Sequence, residues 1–178
     1  SITPLCREGF DFVNWANGDK ELYFASYTNF MNYDFSVISR LFVPVEDVEK
    51  MIESYTSRFS EETIGLHIRR TDNLDSIKQS PIELFFNKID SEIEKNDKVN
   101  FFLATDSEEV KVQMNERYGD RVLFSEQVAD RDSIEGIKGG VAEMFILSRT
   151  KKIYGSFLSS YSDMASQISG IPLEILKL

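Results

Sequence analysis

Thr63-Ile64-Gly65-Leu66-His67-Ile68-Arg69-Arg70-Thr71-Asp72-Asn73 is the stretch that decides the fold. Its first six residues form a short apolar run rich in strand formers, and the last five are polar and read as a loop. The only histidine of the chain and two adjacent arginines therefore fall at the carboxyl end of a strand. Side chains alternate along a strand, so His67 and Arg69 are expected on one face and Ile68 and Arg70 on the other. If the loop begins at Arg70, both guanidinium groups can still converge. Arginine suits a phosphate because its planar fork donates two parallel charged hydrogen bonds.

Working outward, the same alternation of short strand and amphipathic helix repeats. Upstream, Val45, Val48, Ile52, Tyr55 and Phe59 make the stripe of a helix whose first turn Pro44 fits. Downstream, Ser80 as N-cap, Pro81 and Glu83 announce a helix with Ile82, Phe85, Phe86, Ile89 and Ile93 inside. Val99 to Ala104 reads as the second strand, followed by a helix that Asp106 caps with Glu109 and that buries Val110, Met114 and Tyr118. Arg121 to Phe124 is a third strand. Asp132 with Glu135 starts a helix whose inner stripe is Ile134, Ile137, Val141, Met144 and Phe145. Lys152 to Tyr154 is a fourth strand, Ser160-x-x-Asp163 opens a helix ended by Gly170 and Pro172, and Leu173 to Ile175 supplies a last strand. This order predicts an α/β fold, a Rossmann-like three-layer α/β/α sandwich with a mostly parallel sheet, over 61–178. Residues 1–60 are set apart as an aromatic-rich N-terminal segment and helix. Trp15, Tyr23, Phe24, Tyr27, Phe30, Tyr33 and Phe35 show no sustained period there, and core packing and sugar stacking are both open to them.

Composition narrows the function classes. The 178 residues carry 20 Lys+Arg against 30 Asp+Glu, a net charge of −10. That argues against nucleic acid as a partner, which needs clustered cations, and against a general affinity for anionic membranes. No apolar run approaches the roughly 18–20 residues of a membrane span, and no basic segment followed by an apolar core marks a signal peptide. The chain begins with Ser1 in place of Met, which reads as a segment of a longer protein. A single cysteine, Cys6, and no Asn-x-Ser/Thr site point to a reducing, cytoplasmic setting. One histidine and one cysteine exclude a His/Cys zinc cluster.

The rule that open parallel sheets bind ligands at strand ends picks out 67–73, 105–107, 125–133 and 155–160. Two readings of the first compete. In one, the arginines pair with acidic neighbours, His67 is a core residue and Asp72 caps a loop. In the other, all of them serve one site.

His67-Ile68-Arg69-Arg70-Thr71-Asp72 resembles the His-x-Arg-Arg-x-Asp motif of the fucosyltransferase superfamily, which includes α1,2-, α1,6- and nodulation fucosyltransferases. Phe102-Leu103-Ala104-Thr105-Asp106 resembles its second-strand segment. Val141 to Ser148, followed by Ile153-Tyr154-Gly155-Ser156 and Ser159-Ser160, resembles its third motif. The resemblance covers roughly residues 61–170. It implies the donor-binding half of a GT-B glycosyltransferase that takes GDP-fucose and a carbohydrate acceptor, inverting and needing neither metal nor cofactor. It further implies a role in bacterial glycan or surface-polysaccharide synthesis, cytoplasmic and at most peripheral to the inner membrane. Arg69 and Arg70 match the arginines that bind the pyrophosphate and offset charge on departing GDP. His67 matches a residue beside the nucleotide, Asp72 one that orders the arginine loop, and Glu143 a carboxylate that reads the guanine edge. Asp106 matches a site residue as well as a helix cap, and Glu143 is open to being a solvated helix position. Ser156, Ser159 and Ser160 fall where hydroxyls and backbone N–H groups receive a phosphate, with an extra residue leaving open which serine corresponds. A complete enzyme of this kind needs two such domains, so residues 1–60 are expected to be the tail of the acceptor domain or the acceptor side is missing. A non-catalytic nucleotide-sugar-binding or scaffold domain is the alternative.

Overall fold

A computed structural model of the chain describes residues 14, 17–18, 36–126, 130 and 132–178. Two compact units divide the chain, Ser1–Asp34 and Phe35–Leu178, and the second holds the sheet and its covering helices. The aromatic cluster from Trp15 to Phe35, and Cys6, lie outside the described residues.

The elements are α1 (Ser36–Leu41), α2 (Glu46–Thr56), β1 (Ile64–Ile68), α3 (Leu74–Gln79), α4 (Ile82–Lys95), β2 (Phe101–Thr105), α5 (Glu108–Tyr118), β3 (Val122–Phe124), α6 (Ile134–Ser148), β4 (Ile153–Ser156), α7 (Ser160–Ser169) and β5 (Leu173–Leu176). Among the described residues every strand pairing is parallel, in the order β3-β2-β1-β4-β5. The sandwich is thus the Rossmann-like one expected. Its strand order reverses between β1 and β4, and doubly wound sheets open their ligand crevice at such a switch point.

Strand alternation sorts the core into two layers. Ile64, Leu66 and Ile68 of β1 join Phe101, Leu103 and Tyr154 beneath α4 and α5, packed on Phe85, Ile89 and Met114. Phe102, Ala104 and Ile153 face the other way, against Val48 and Ile52 of α2, Ala142, Ile146 and Leu147 of α6, and Ala165 of α7. Helix α2, which the sequence reading placed with the N-terminal segment, is therefore a layer of this unit. Gly65 faces the same side, and a Cβ on it would come within 2.8 Å of Thr150 Oγ1 and 2.9 Å of Leu147 Cδ2. Glycine lets α6 lie tight on β1, which brings the loop after β1 and the first turns of α6 to one end of the sheet.

Four local expectations are corrected. Ser80 is not an N-cap: a short helix, α3, capped by the Asn73 side chain, precedes it, and α4 starts after Pro81 with no side-chain cap. Fully buried Ser80 instead donates to the Leu176 carbonyl at 2.5 Å and accepts from Phe157 N at 2.8 Å. Ser107, one residue after Asp106, caps α5 by accepting from Val110 N. Ser133, one after Asp132, caps α6 by accepting from Gly136 N. The stripe of α6 is also rotated, because Ala142, Ile146 and Leu147 are buried while Ile134 and Ile137 are 72% and 54% exposed. At 1.5 Å per residue this 15-residue helix runs about 22 Å, whereas a five-residue strand spans about 16 Å. The first turns of α6 overshoot the sheet and line a cavity in place of the core.

Candidate functional site

The loop after β1 is held from three sides. Thr105 Oγ1 donates to the Ile68 carbonyl at 2.7 Å, and the Ser156 hydroxyl accepts from Arg69 N at 3.1 Å while donating to the His67 carbonyl at 3.2 Å. Asp106 then fixes the turn itself. Its carboxylate accepts from Arg70 N at 2.7 Å, Thr71 N at 3.3 Å and Thr71 Oγ1 at 2.6 Å. A carboxylate is the right group here, being acceptor-only with two oxygens to serve three donors.

The two arginines diverge. Arg69 points into the cavity at the strand ends, and its Nη2 pairs with Asp72 Oδ1 at 2.5 Å. Arg70 turns the other way, donating from Nη2 to the Ser80 carbonyl at 2.7 Å and from Nη1 to the Arg69 carbonyl at 3.3 Å. Convergence of both guanidinium groups, which a loop start at Arg70 made possible, is absent in this state. The alternation rule governs instead, and Arg70 braces the loop against the end of α3.

His67 is buried on the α6/α7 face, its ring stacked on Tyr161 with centroids 4.8 Å apart and planes tilted by 31°. Burial drives its pKa down to about 4, the Arg69 charge adding and the Asp106 charge opposing. The imidazole is therefore neutral near pH 7, and its buried Nδ1 has no hydrogen-bond partner among the described residues. Across the cavity Glu143 projects from α6, half-buried, with a hydrogen bond to Ser125. Burial pushes its carboxyl up to about 7, helped by Glu108 and opposed by the Lys111 cation. A solvated helix position, the bland expectation for Glu143, is excluded.

His67, Arg69, Asp72, Asp106 and Glu143 thus surround one cavity of about 540 Å³, within the range of small-molecule sites. Arg70, Ser156, Ser159 and Ser160 are not among its lining residues. Ser156, at the end of β4, is fully buried beside β1, Ser159 is buried with no hydroxyl partner among the described residues, and Ser160 is exposed. The apolar wall comes from Ile137, Val141 and Met144, and Gly136 and Gly140 lie flat between them. A Cβ at 136 would overlap the Asp130 carbonyl at 2.0 Å, whereas one at 140 would meet nothing within 4 Å. Tyr161 is the largest lining side chain that the sequence did not single out; its hydroxyl donates to the Gly140 carbonyl at 2.5 Å. No local pattern marks it, since its contacts join three elements far apart in sequence. Among the described residues, no three His, Cys, Asp or Glu side chains gather as metal ligands would, and no helix is long and apolar enough to cross a membrane.

No protein-family model and no curated protein sequence matches the chain. Its structure is similar to that of POFUT1 in complex with GDP-fucose, with a TM-score of 0.58 at 11% identity over 80% of this chain and 49% of that one. It is also similar to the NodZ α-1,6-fucosyltransferase soaked with GDP-fucose, with a TM-score of 0.50 at 23% identity over 70% of this chain and 42% of that one. The fold is therefore the fucosyltransferase-like one that the motif led us to expect, and the chain spans about half or less of the length of these proteins.

Proposed function

We propose that this chain is the donor-binding part of a fucosyltransferase-like glycosyltransferase that binds GDP-fucose. The observation that carries the reading is the gathering of His67, Arg69, Asp72, Asp106 and Glu143 around one cavity at the switch point of the sheet. The fold shared with enzymes crystallised with GDP and GDP-fucose supports it. In this reading the ionised Glu143 accepts from the N1–H and N2–H donors of guanine, and the flat floor at Gly140 leaves room for the base. Arg69 exchanges Asp72 for the diphosphate oxygens. Arg70 holds the loop that presents Arg69, and His67, neutral and with a spare nitrogen, lies beside the nucleotide. Ser156 secures the strand end, and Ser159 and Ser160 stand at the start of α7, outside the cavity lining.

Transfer would proceed by attack of an acceptor hydroxyl oxygen on C1 of fucose, breaking its bond to the β-phosphate oxygen with inversion. The proton of the hydroxyl would leave to a base on the acceptor side, which we assign, together with the role of residues 1–34, to the part of the enzyme that meets the carbohydrate. Arg69 faces the charge that grows on departing GDP, without a metal, and a preformed cation at that point stabilises the transition state.

Calorimetric titration with GDP tests the reading. Binding that weakens at least tenfold in Arg69→Ala is expected, and no binding by the unaltered chain at millimolar GDP overturns it. In the full-length enzyme, Arg69→Ala and Arg70→Ala should each cost about 2–4 kcal/mol in kcat/KM, by analogy with removal of an oxyanion-hole donor. The first acts at the diphosphate and the second through the loop. Binding without any fucose transfer in the full-length protein would favour a non-catalytic nucleotide-sugar-binding domain.

A further inference from the structure

Tyr161 does something that packing alone does not require. Its ring lies against His67 on β1, its backbone belongs to α7, and its hydroxyl reaches the Gly140 carbonyl of α6, one helical turn before Glu143 and Met144. A carbonyl has two lone pairs, so Gly140 can accept the phenol as well as its helical N–H. Gly140 adds no side chain to the cavity floor beside that carbonyl, and among the described residues nothing lies within 4 Å of where a Cβ would stand. Burial and the charge of Glu143 hold the phenol well above its ordinary pKa, so it stays a donor throughout the working range of pH.

These contacts sit between the two walls of the cavity. On one side are His67 and Arg69, fixed to the sheet; on the other is α6, whose N-terminal turns overshoot the sheet and have little core beneath them. We infer that Tyr161 is a positioning residue that fixes α6 relative to β1, so that Glu143 and Arg69 stand at the separation that lets one ligand touch both. Its role, which rests on the donor-binding reading, is selectivity. It favours a ligand that carries a hydrogen-bonding base at one end and a diphosphate at the other over a diphosphate alone.

Two ligands and one substitution test this. Tyr161→Phe keeps the ring and its stack on His67 and removes only the hydroxyl. Calorimetry on the intact chain should show GDP affinity falling about threefold to tenfold, the worth of one net hydrogen bond, with inorganic pyrophosphate affinity unchanged within twofold. Equal losses for both ligands would mean general loosening, and no loss for GDP would mean that the hydroxyl positions nothing; either overturns the inference. Failure of the unaltered chain to bind GDP overturns the donor reading instead, and a measurement without ligand still bears on Tyr161. Amide hydrogen exchange at residues 140–144 should quicken in Tyr161→Phe while α4 and α5 keep their protection. Unchanged exchange in α6 would refute the proposed tether.

Discussion

Asp106 separates two explanations that coincide in the sequence, and its removal has a magnitude that the structure allows to be worked out. Asp106→Ala deletes the acceptor for Arg70 N at 2.7 Å, Thr71 Oγ1 at 2.6 Å and Thr71 N at 3.3 Å. Hydrogen bonds to a charged acceptor contribute about 1.5–3 kcal/mol each, but the third is long and Thr71 is exposed, so water replaces part of what is lost. The expected cost is about 2–4 kcal/mol, dominated by the Arg70 amide, which is left facing an empty site. Ser107→Ala serves as the counterpart, since it removes the α5 cap and should cost about 1 kcal/mol. Urea unfolding at constant m-value reads both, and GDP titration separates them. Asp106→Ala frees the Arg69 loop and should weaken GDP at least tenfold, while Ser107→Ala should leave affinity within twofold. Thr71→Val adds a cycle: on its own it should destabilise, and in the Asp106→Ala background it should add nearly nothing. A cost below 1 kcal/mol for Asp106→Ala, or equal effects of the two substitutions on GDP binding, would refute the idea that Asp106 shapes this loop.

The cavity also predicts an unusual pH response. His67, held down at about 4, refuses a proton that the unfolded chain takes below its ordinary 6.5, so it costs stability as pH falls from 6.5 to 4. Glu143, held up at about 7, takes a proton that the unfolded chain takes only near 4.5, so it adds stability as pH falls from 7 to 4.5. The two oppose each other between pH 4.5 and 6.5. Urea midpoints at pH 5, 6 and 7 should therefore show Glu143→Gln becoming more acid-sensitive than the unaltered chain, by at most about 1.4 kcal/mol per pH unit, and His67→Phe less so; parallel curves would contradict both assignments. Gly140→Ala should raise stability by about 0.5–1 kcal/mol, because a helical glycine is replaced where space is open. It should also weaken GDP by placing a methyl group in the cavity, and a lower Tm would count against the open floor.

How far the sequence carried can be seen at particular residues. The layers were legible because alternation in Ile64 to Ile68 and Phe101 to Ala104 needs no tertiary information: period two on a doubly covered sheet assigns each side chain to a face. Gly170 was equally plain, taking the left-handed conformation (φ 67°) that ends a helix. The caps failed by one residue at Asp106 and Asp132, where an acid and a following serine both fit capping chemistry. What settled the first was a loop 36 residues earlier, whose N–H groups drew the aspartate away and left the cap to Ser107. Helix α3, six residues long, is too short to show a period. In α6 the pattern was real and its interpretation was not, because an apolar stripe says that a face avoids water and not whether protein or ligand covers it. The strand end at 67–72 was readable as a candidate site from residue type and place. Glu143 was readable only through the family resemblance, and Tyr161 not at all.

The chain's net charge of −10 poses a question at the cavity itself, where Arg69 faces Asp72, Asp106, Asp130 and Glu143. A diphosphate entering such a place should meet repulsion unless the carboxylates are otherwise engaged. Each of them is. Asp106 is saturated by the Arg70 and Thr71 donors, Asp130 accepts from Asp132 N at 2.9 Å, and Glu143 sits near the point where it is half protonated at neutral pH. Among the described residues Asp72 holds the arginine, and it does so at the rim, the two side chains being 20% (Arg69) and 48% (Asp72) exposed. A single ion pair half open to solvent is partly screened and contributes little, since exposed pairs give only about 0–1 kcal/mol, whereas a phosphate takes a guanidinium through two parallel charged bonds. In the proposed donor-binding reading Asp72 is therefore a placeholder that keeps Arg69 extended into the cavity and yields it to the diphosphate. With a Debye length of about 8 Å at physiological salt, the remaining acidic surface is screened from that exchange, which is how an acidic chain can offer a site to an anion.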